Sequence, residues 1–363
     1  MMIVMNVYRP QKKIVVALSF EGVLNNGVKE CAFVSLNAYK RMIDNGQIRS
    51  VITKGGFFRK ILEPDEFIKN PVNPLKPAIK DSAIVAAFVA LRPLVAVAED
   101  YYTVLQVINV NHEMAVLLGS PKNIDVYRYF IDKFEALKSW QSTAEERQIF
   151  KKEFYAERER IKQVSYEKWL SLQEPYKETI EQLRALAKTR EFESGELARG
   201  FELYYLSAKD EGSIKELCNF YTKFGHLLDI EVGQERGAAG IGENVQVEVL
   251  RAEFLQRLSN CIVHPDHIIG LKKNPGGDKL LGMKGITEEQ GVPPAQVWNV
   301  NDRLEKPEEI KRLKDAGFVN QFILTGGYAF PWEYDEAPRY GVHVLQRPHM
   351  AVILSTIAGL AGF

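Results

Sequence analysis

The sequence predicts an α/β fold: a parallel sheet whose strands alternate with helices, interrupted after the first strand by a large helical insertion. Three observations predict it. Four short apolar runs each end at small or polar residues, as a strand buried on both faces does when it runs into a loop. Helical periodicity fills the stretches between the later runs. Residues from about 27 to 175 share neither the runs nor the alternation.

The first run, IVVAL at 14–18, ends at Ser19. LYYL at 203–206 ends at Ser207, QVWNV at 296–300 at Asn301 and Asp302, and FILT at 322–325 at Gly326 and Gly327. Between them, 178–188 carries Ile180, Leu183, Leu186 and Ala187 at helical spacing, and 214–224 puts Leu217, Cys218, Tyr221 and Phe224 on one stripe. Segment 307–316 opens with Pro307 and closes before Gly317, ordinary start and stop signals for a helix. Within the insertion the charge-dense 143–173 reads as a solvated amphipathic helix. The expected division is therefore 1–26 with 176–363 as an α/β core and 27–175 as a helical insertion.

Composition narrows the function. A chain of 363 residues suggests two domains, or one domain with a large insertion. Its 47 Lys+Arg balance 47 Asp+Glu, which argues against a dedicated nucleic-acid binder and leaves room for a local anion pocket. Cys31, Cys218 and Cys261 are odd in number and far apart, so a reducing, cytoplasmic setting is expected. The N-terminal MMIVMNVYRPQKK has the wrong order for a secretory signal. No stretch is long and apolar enough for a membrane span, since Lys80, Asp81 and Arg92 interrupt 79–98. The apolar 350–363 reads as a helix docked on the core.

Ligands of open parallel sheets bind beyond the carboxyl ends of the strands. That singles out Ser19, Glu21 and Gly22, then Ser207 and Lys209, then Asn301 and Asp302. In their order along the chain these ends resemble the haloacid dehalogenase superfamily. Its first motif, an apolar run followed by D-x-D-G-T/V-L, is matched by ALSFEGVL. Its second, a strand ending in Thr or Ser, is matched by YYLSAKD. Its third, a Lys opening a later helix, is matched best by Lys279 in NPGGDKLLGMK, with Lys272 and Lys273 as rivals. Its fourth, a strand ending in G-D and a further acid, is matched by VWNVNDRLEKPEEI. The matching pieces span about 14–30 and 174–332, and the insertion sits where the family places a helical cap. The resemblance implies a Rossmann-like core with such a cap, phosphatase-type hydrolysis and Mg²⁺.

The departures bear on function. Where the family has its nucleophilic Asp this chain has Ser19, and a serine hydroxyl is a poor nucleophile without a base. Glu21 stands at the family's acid/base position, one methylene longer. Of the implied metal ligands Asp302 survives, Gly becomes Asn301, and the next acid position falls near Lys306 and Pro307, with Glu305, Glu308 or Glu309 as substitutes. Any Mg²⁺ would be held weakly. Ser207 and Lys279 keep the makings of a phosphate or anion site. The expectation is a protein that has lost phosphoaspartyl chemistry and serves a binding, regulatory or scaffolding role. A divergent hydrolase of a small phosphorylated metabolite and a structural assembly subunit stay open beside it, as do a protein partner or homo-oligomer through the insertion.

Other clusters read as structure. Cys261, His264, Asp266 and His267 lack a zinc-ligand frame. The glycines of 237–245 have the wrong spacing for a dinucleotide loop. Arg92 beside Glu99 and Asp100 reads as the charged end of a buried helix, with a cap contribution to substrate as the alternative, and Tyr328, Trp332 and Tyr334 as core packing, with the lining of a pocket as the alternative.

Overall fold

The computed structural model describes residues 13–48, 83–111, 114, 116–119, 124–140, 143–176, 178–180, 182, 201–224, 265–270, 273 and 278–349. Six strands form one sheet: β1 (Ile14–Leu18), β2 (Phe201–Leu206), β3 (Ile268–Ile269), β4 (Val297–Asn301), β5 (Asn320–Leu324) and β6 (His343–Leu345). They lie in the order β3-β2-β1-β4-β5-β6, and every pairing is parallel. Each residue of β1 is at most 3% exposed, which explains why its sequence is an unbroken apolar run.

The order also places the ligand crevice. From β1 the chain builds outward through β2 and β3, then returns to the other side of β1 and builds through β4, β5 and β6. The direction reverses between β1 and β4, and such a switch point opens a crevice beyond the carboxyl ends. In register, Leu18 lies opposite Tyr205 and Val300, so Ser19 emerges level with the end of β4. On one face of the sheet Val15, Ala17, Tyr204 and Val297 pack against Met283 and Ile286 of helix Lys279–Gln290 and Leu313 of helix Pro307–Asp315.

β1 keeps its sequence-based bounds, and the ends of β2, β4 and β5 move by one or two residues. β2 begins at Phe201 because Ile14 and Val15 pair with Phe201 and Glu202. β5 begins at Asn320, through two polar residues that the apolar pattern passes over. Gln321 is buried there, and its side-chain oxygen accepts from Asn299 Nδ2 at 2.7 Å across the ladder. β6 has only three residues, too few to stand out as a run. The second half of the expected 178–188 helix, the glycines of 237–245 and the apolar 350–363 lie outside the described residues.

Residues 25–175 form a second unit. Among the described residues its α-helices are Val28–Asp44, Ala83–Ala90, Asp100–Val110, Ile124–Ser139, Ala144–Val164 and Tyr166–Ser171. An antiparallel bridge of Asn25–Asn26 with Glu174–Pro175 closes it, supported by Asn25 Nδ2 donating to Gln173 Oε1 at 2.9 Å. The charge-dense helix has the buried stripe expected of an amphipathic element, but it also buries charged residues that a solvated face would keep in water. Phe150, Phe154 and Ile161 bury one stripe, and Glu146, Glu157 and Arg158 are buried with them. Arg158 holds both carboxylate oxygens of Glu30 at 2.6 and 3.0 Å, and this pairing lets two charges enter the interior. Among the described residues no helix is long and apolar enough to cross a membrane.

Candidate functional site

Ser19, Ser207 and Asp302 follow the carboxyl ends of the adjacent strands β1, β2 and β4. The Ser19 N–H extends the ladder by donating to Val300 O at 2.9 Å. Its hydroxyl donates to Asn301 Oδ1 at 3.4 Å and accepts from the Lys279 ammonium at 3.2 Å. A hydroxyl that accepts from a cation and gives its proton to an amide oxygen has no base in place to activate it. The Ser207 hydroxyl accepts the Lys209 N–H at 3.1 Å and so shapes the turn that follows β2.

Glu21 is gripped from two loops. The Lys209 ammonium lies 2.9 Å from Glu21 Oε1, and the Tyr328 hydroxyl donates to Oε2 at 3.1 Å. Lys209 is 7% exposed, and a lysine that deep needs a carboxylate partner. One contact falls on each carboxylate oxygen, so Glu21 is held as an acceptor between the two loops. Tyr328, for which core packing and the lining of a pocket are both open in the sequence, is buried and reaches this carboxylate.

Lys279 opens helix Lys279–Gln290, whose cap is Asp278, accepting from Leu280 N at 2.9 Å and Leu281 N at 3.3 Å. A cation in a first helical turn opposes the helix dipole, so it needs anions or acceptors of its own. It has three oxygens: Ser19 Oγ, Asn301 Oδ1 and, 3.0 Å away, Glu305 Oε1. Burial works to raise the pKa of Glu305, but the charges of Lys279 and Arg303 outweigh it and hold the group below the ordinary carboxylate range. The rival Lys273 is exposed, with its ammonium on Asp266 O at 2.6 Å, and Lys272 lies outside the described residues. No hydrogen bond joins Ser207 to Lys279 among the described residues.

Asp302 is 8% exposed and sits between two glycine loops. Gly22 has φ +76°, and a Cβ there would fall 2.3 Å from Asp302 Cβ. A Cβ on Gly327 would fall 2.5 Å from Asp302 O. Both positions therefore require glycine for close approach, and Gly22 also for its backbone conformation. Nearby, Glu333 accepts the Leu304 N–H at 3.1 Å, and burial pushes its carboxyl up to about 7, with Asp302 adding to the shift against opposing contacts.

Sequence reasoning missed Arg347. It follows β6 and is 5% exposed. Its guanidinium donates to Gly22 O at 2.7 Å, Val23 O at 2.6 Å, Thr325 O at 3.1 Å and Thr179 Oγ1 at 2.7 Å, over the Tyr176 ring at 3.7 Å. It thereby fixes the loop that carries Glu21. The only signal was the short apolar stretch VHVL before it.

The donors do not fit the Mg²⁺ that the resemblance implies. Ser19 and Asn301 are neutral, Glu21 is engaged by Lys209, and Glu305 lies against Lys279. Asp302 is left as one carboxylate, while Mg²⁺ dehydrates reluctantly and ordinarily takes one or two carboxylates with substrate phosphate. Among the described residues no three His, Cys, Asp or Glu side chains form a metal site. The remaining clusters are structural. His267 stacks on Tyr204 at 4.2 Å, whereas Cys261 and His264 lie outside the described residues. Within the helical unit, Asp100 accepts from Ala96 N and Val97 N and pairs with Lys138 at 2.7 Å.

No protein-family model matches the chain, and no curated protein matches it. Two solved structures are similar to it at low TM-score. One is a predicted phosphoglycolate phosphatase from Haemophilus somnus 129PT, 12% identical, with a TM-score of 0.40 over 95% of this chain and 99% of that one. The other is a haloacid dehalogenase-like family hydrolase from Streptococcus pneumoniae, 11% identical, with a TM-score of 0.39 over 94% of this chain and 98% of that one.

Proposed function

We propose that this chain is a cytoplasmic, haloacid-dehalogenase-like protein that has lost phosphoaspartyl hydrolysis and acts by binding, in a regulatory or scaffolding role. The observation that carries the reading is Ser19 at the switch point, held between a cation and an amide oxygen. An acyl phosphate needs a carboxylate there. A phosphoserine would be a monoester, whose uncatalysed hydrolysis is among the slowest reactions known. Glu21 supports the reading too, because Lys209 and Tyr328 each hold one of its carboxylate oxygens. The free buried thiol of Cys218 accords with a reducing compartment, and burial pushes it up to about 12. The ligand class is a small phosphorylated molecule or another anion near Ser207 and Lys279, which would compete with Glu305 for the ammonium. A protein partner or second copy would engage residues 27–175.

Steady-state assays with a panel of small phosphate esters, with and without EDTA, test this. No turnover above background is expected. Clear EDTA-sensitive turnover, abolished by Asp302→Asn, would replace the binding role with that of a divergent Mg²⁺-dependent hydrolase.

A further inference from the structure

The crevice contains two internal ion pairs that the loss of an aspartate does not by itself require. Glu21, Asp302 and Glu305 bring three carboxylates to the loops beyond β1 and β4. Lys209 and Lys279 bring two ammonium groups, and each lies on one of those carboxylates, at 2.9 and 3.0 Å. Two ammonium groups carry the formal charge of one divalent cation.

We propose that these two lysine ammonium groups supply the positive charge that a divalent cation would otherwise supply, so that the crevice is a metal-independent site. The proposal rests on the resemblance behind the proposed function, and extends it from a missing nucleophile to a replaced cation.

The surroundings of Lys279 carry the argument. An ammonium has three N–H donors, and three oxygens from three points of the crevice stand around this one: Ser19 Oγ, Asn301 Oδ1 and Glu305 Oε1. The side chain is only 19% exposed, and that of Glu305 15%. Ser19 and Asn301 are neutral oxygen donors. They suit an ammonium, which is satisfied by hydrogen bonds, better than a hard dication, which wants carboxylates. On the far side of the crevice Lys209, 7% exposed, takes up Glu21. A divalent cation entering between Ser19 and Asp302 would have one carboxylate without a lysine on it and an ammonium already on the serine oxygen.

Mn²⁺, followed by the relaxation of water protons, reports binding without any need for turnover. Wild-type full-length protein should show no saturable site at millimolar Mn²⁺. The double variant Ser19→Asp with Lys279→Met replaces the ammonium by a methyl group and adds a carboxylate. It should bind one Mn²⁺ per chain, displaced by Mg²⁺, with a gain in affinity of about ten-fold or more. Adding Asp302→Asn should remove that gain. A saturable wild-type site that Asp302→Asn abolishes would overturn the proposal. So would a double variant that melts cooperatively yet binds no better than wild type.

A second measurement needs only the wild type and covers a double variant that does not fold. Lys279 should react with an amine-acylating reagent more slowly than the exposed Lys284, and millimolar Mg²⁺ should leave its rate unchanged. Faster acylation of Lys279 on adding Mg²⁺ would mean that a cation displaces the ammonium, which contradicts the proposal. The two accounts fail separately. EDTA-insensitive turnover would remove the non-hydrolytic reading and leave the metal-independent site, whereas saturable Mn²⁺ binding without turnover would do the reverse.

Discussion

At the scale of single residues, the contacts of Ser19, Glu21 and Glu333 decide what each can do. Ser19→Asp alone would set a carboxylate beside the Lys279 ammonium. The variant should be no less stable than wild type and should still lack turnover, because Glu21 stays held by Lys209; phosphate release and a thermal melt check both halves. Glu333 makes stability depend on pH. Its folded pKa of about 7 lies above the ordinary 4.5, so the folded state holds the proton more tightly than the unfolded chain. That contribution is present in full below 4.5 and is lost as pH rises through 7. Glu333→Gln keeps an acceptor for the Leu304 N–H and removes the dependence. It should therefore gain on wild type between pH 5 and 8 by roughly 1–3 kcal/mol in denaturant melts, the partial exposure of the residue lowering the figure. Equal slopes for the two proteins would contradict this. Gly22→Ala meets both a positive φ and the Asp302 side chain, and should cost about 2 kcal/mol or more.

At the scale of elements, helix Lys279–Gln290 shows how local structure sets the site. Asp278 accepts two backbone N–H groups, and Arg312 lies 3.2 Å from its other oxygen. Asp278→Ala should cost about 1 kcal/mol through the lost cap. Because Lys279 is the first helical residue, its acylation should also quicken; a lower melting temperature with unchanged labelling would break the link between cap and ammonium. What could be read in advance follows the same local logic. β1 was legible because it is buried on both faces and thus apolar throughout. The ends of β2 and β5 were not, since Glu202 and Gln321 owe their places to partners on neighbouring strands. Lys279 was legible from the helix that it opens. The grip of Lys209 and Tyr328 on Glu21 was not, because it joins loops 188 and 307 positions away that only the folded sheet brings together.

At the scale of the α/β core, strand order turns four weak sequence signals into one place. Ser19 and Asn301 are 282 positions apart and meet because β1 and β4 are neighbours on either side of the reversal of direction. Arg347 reaches the first loop from beyond the other edge strand, and its guanidinium replaces backbone partners that the loop would otherwise lack. Arg347→Ala should cost about 2–4 kcal/mol, because Gly22 O and Val23 O lose buried donors; Arg347→Lys should recover only part of it, as one ammonium cannot span the same fork. Denaturant melts of the pair check the order. The central claim is that this crevice carries its own positive charge and no longer performs aspartyl-phosphate chemistry. A crystal structure with Mg²⁺ and vanadate tests it most directly. The account predicts the Lys279 ammonium still on Ser19 and Glu305, with no cation between Ser19 and Asp302. Octahedral density bonded to Asp302 at about 2.1 Å, with vanadate in line with a side chain of the first loop, would contradict it.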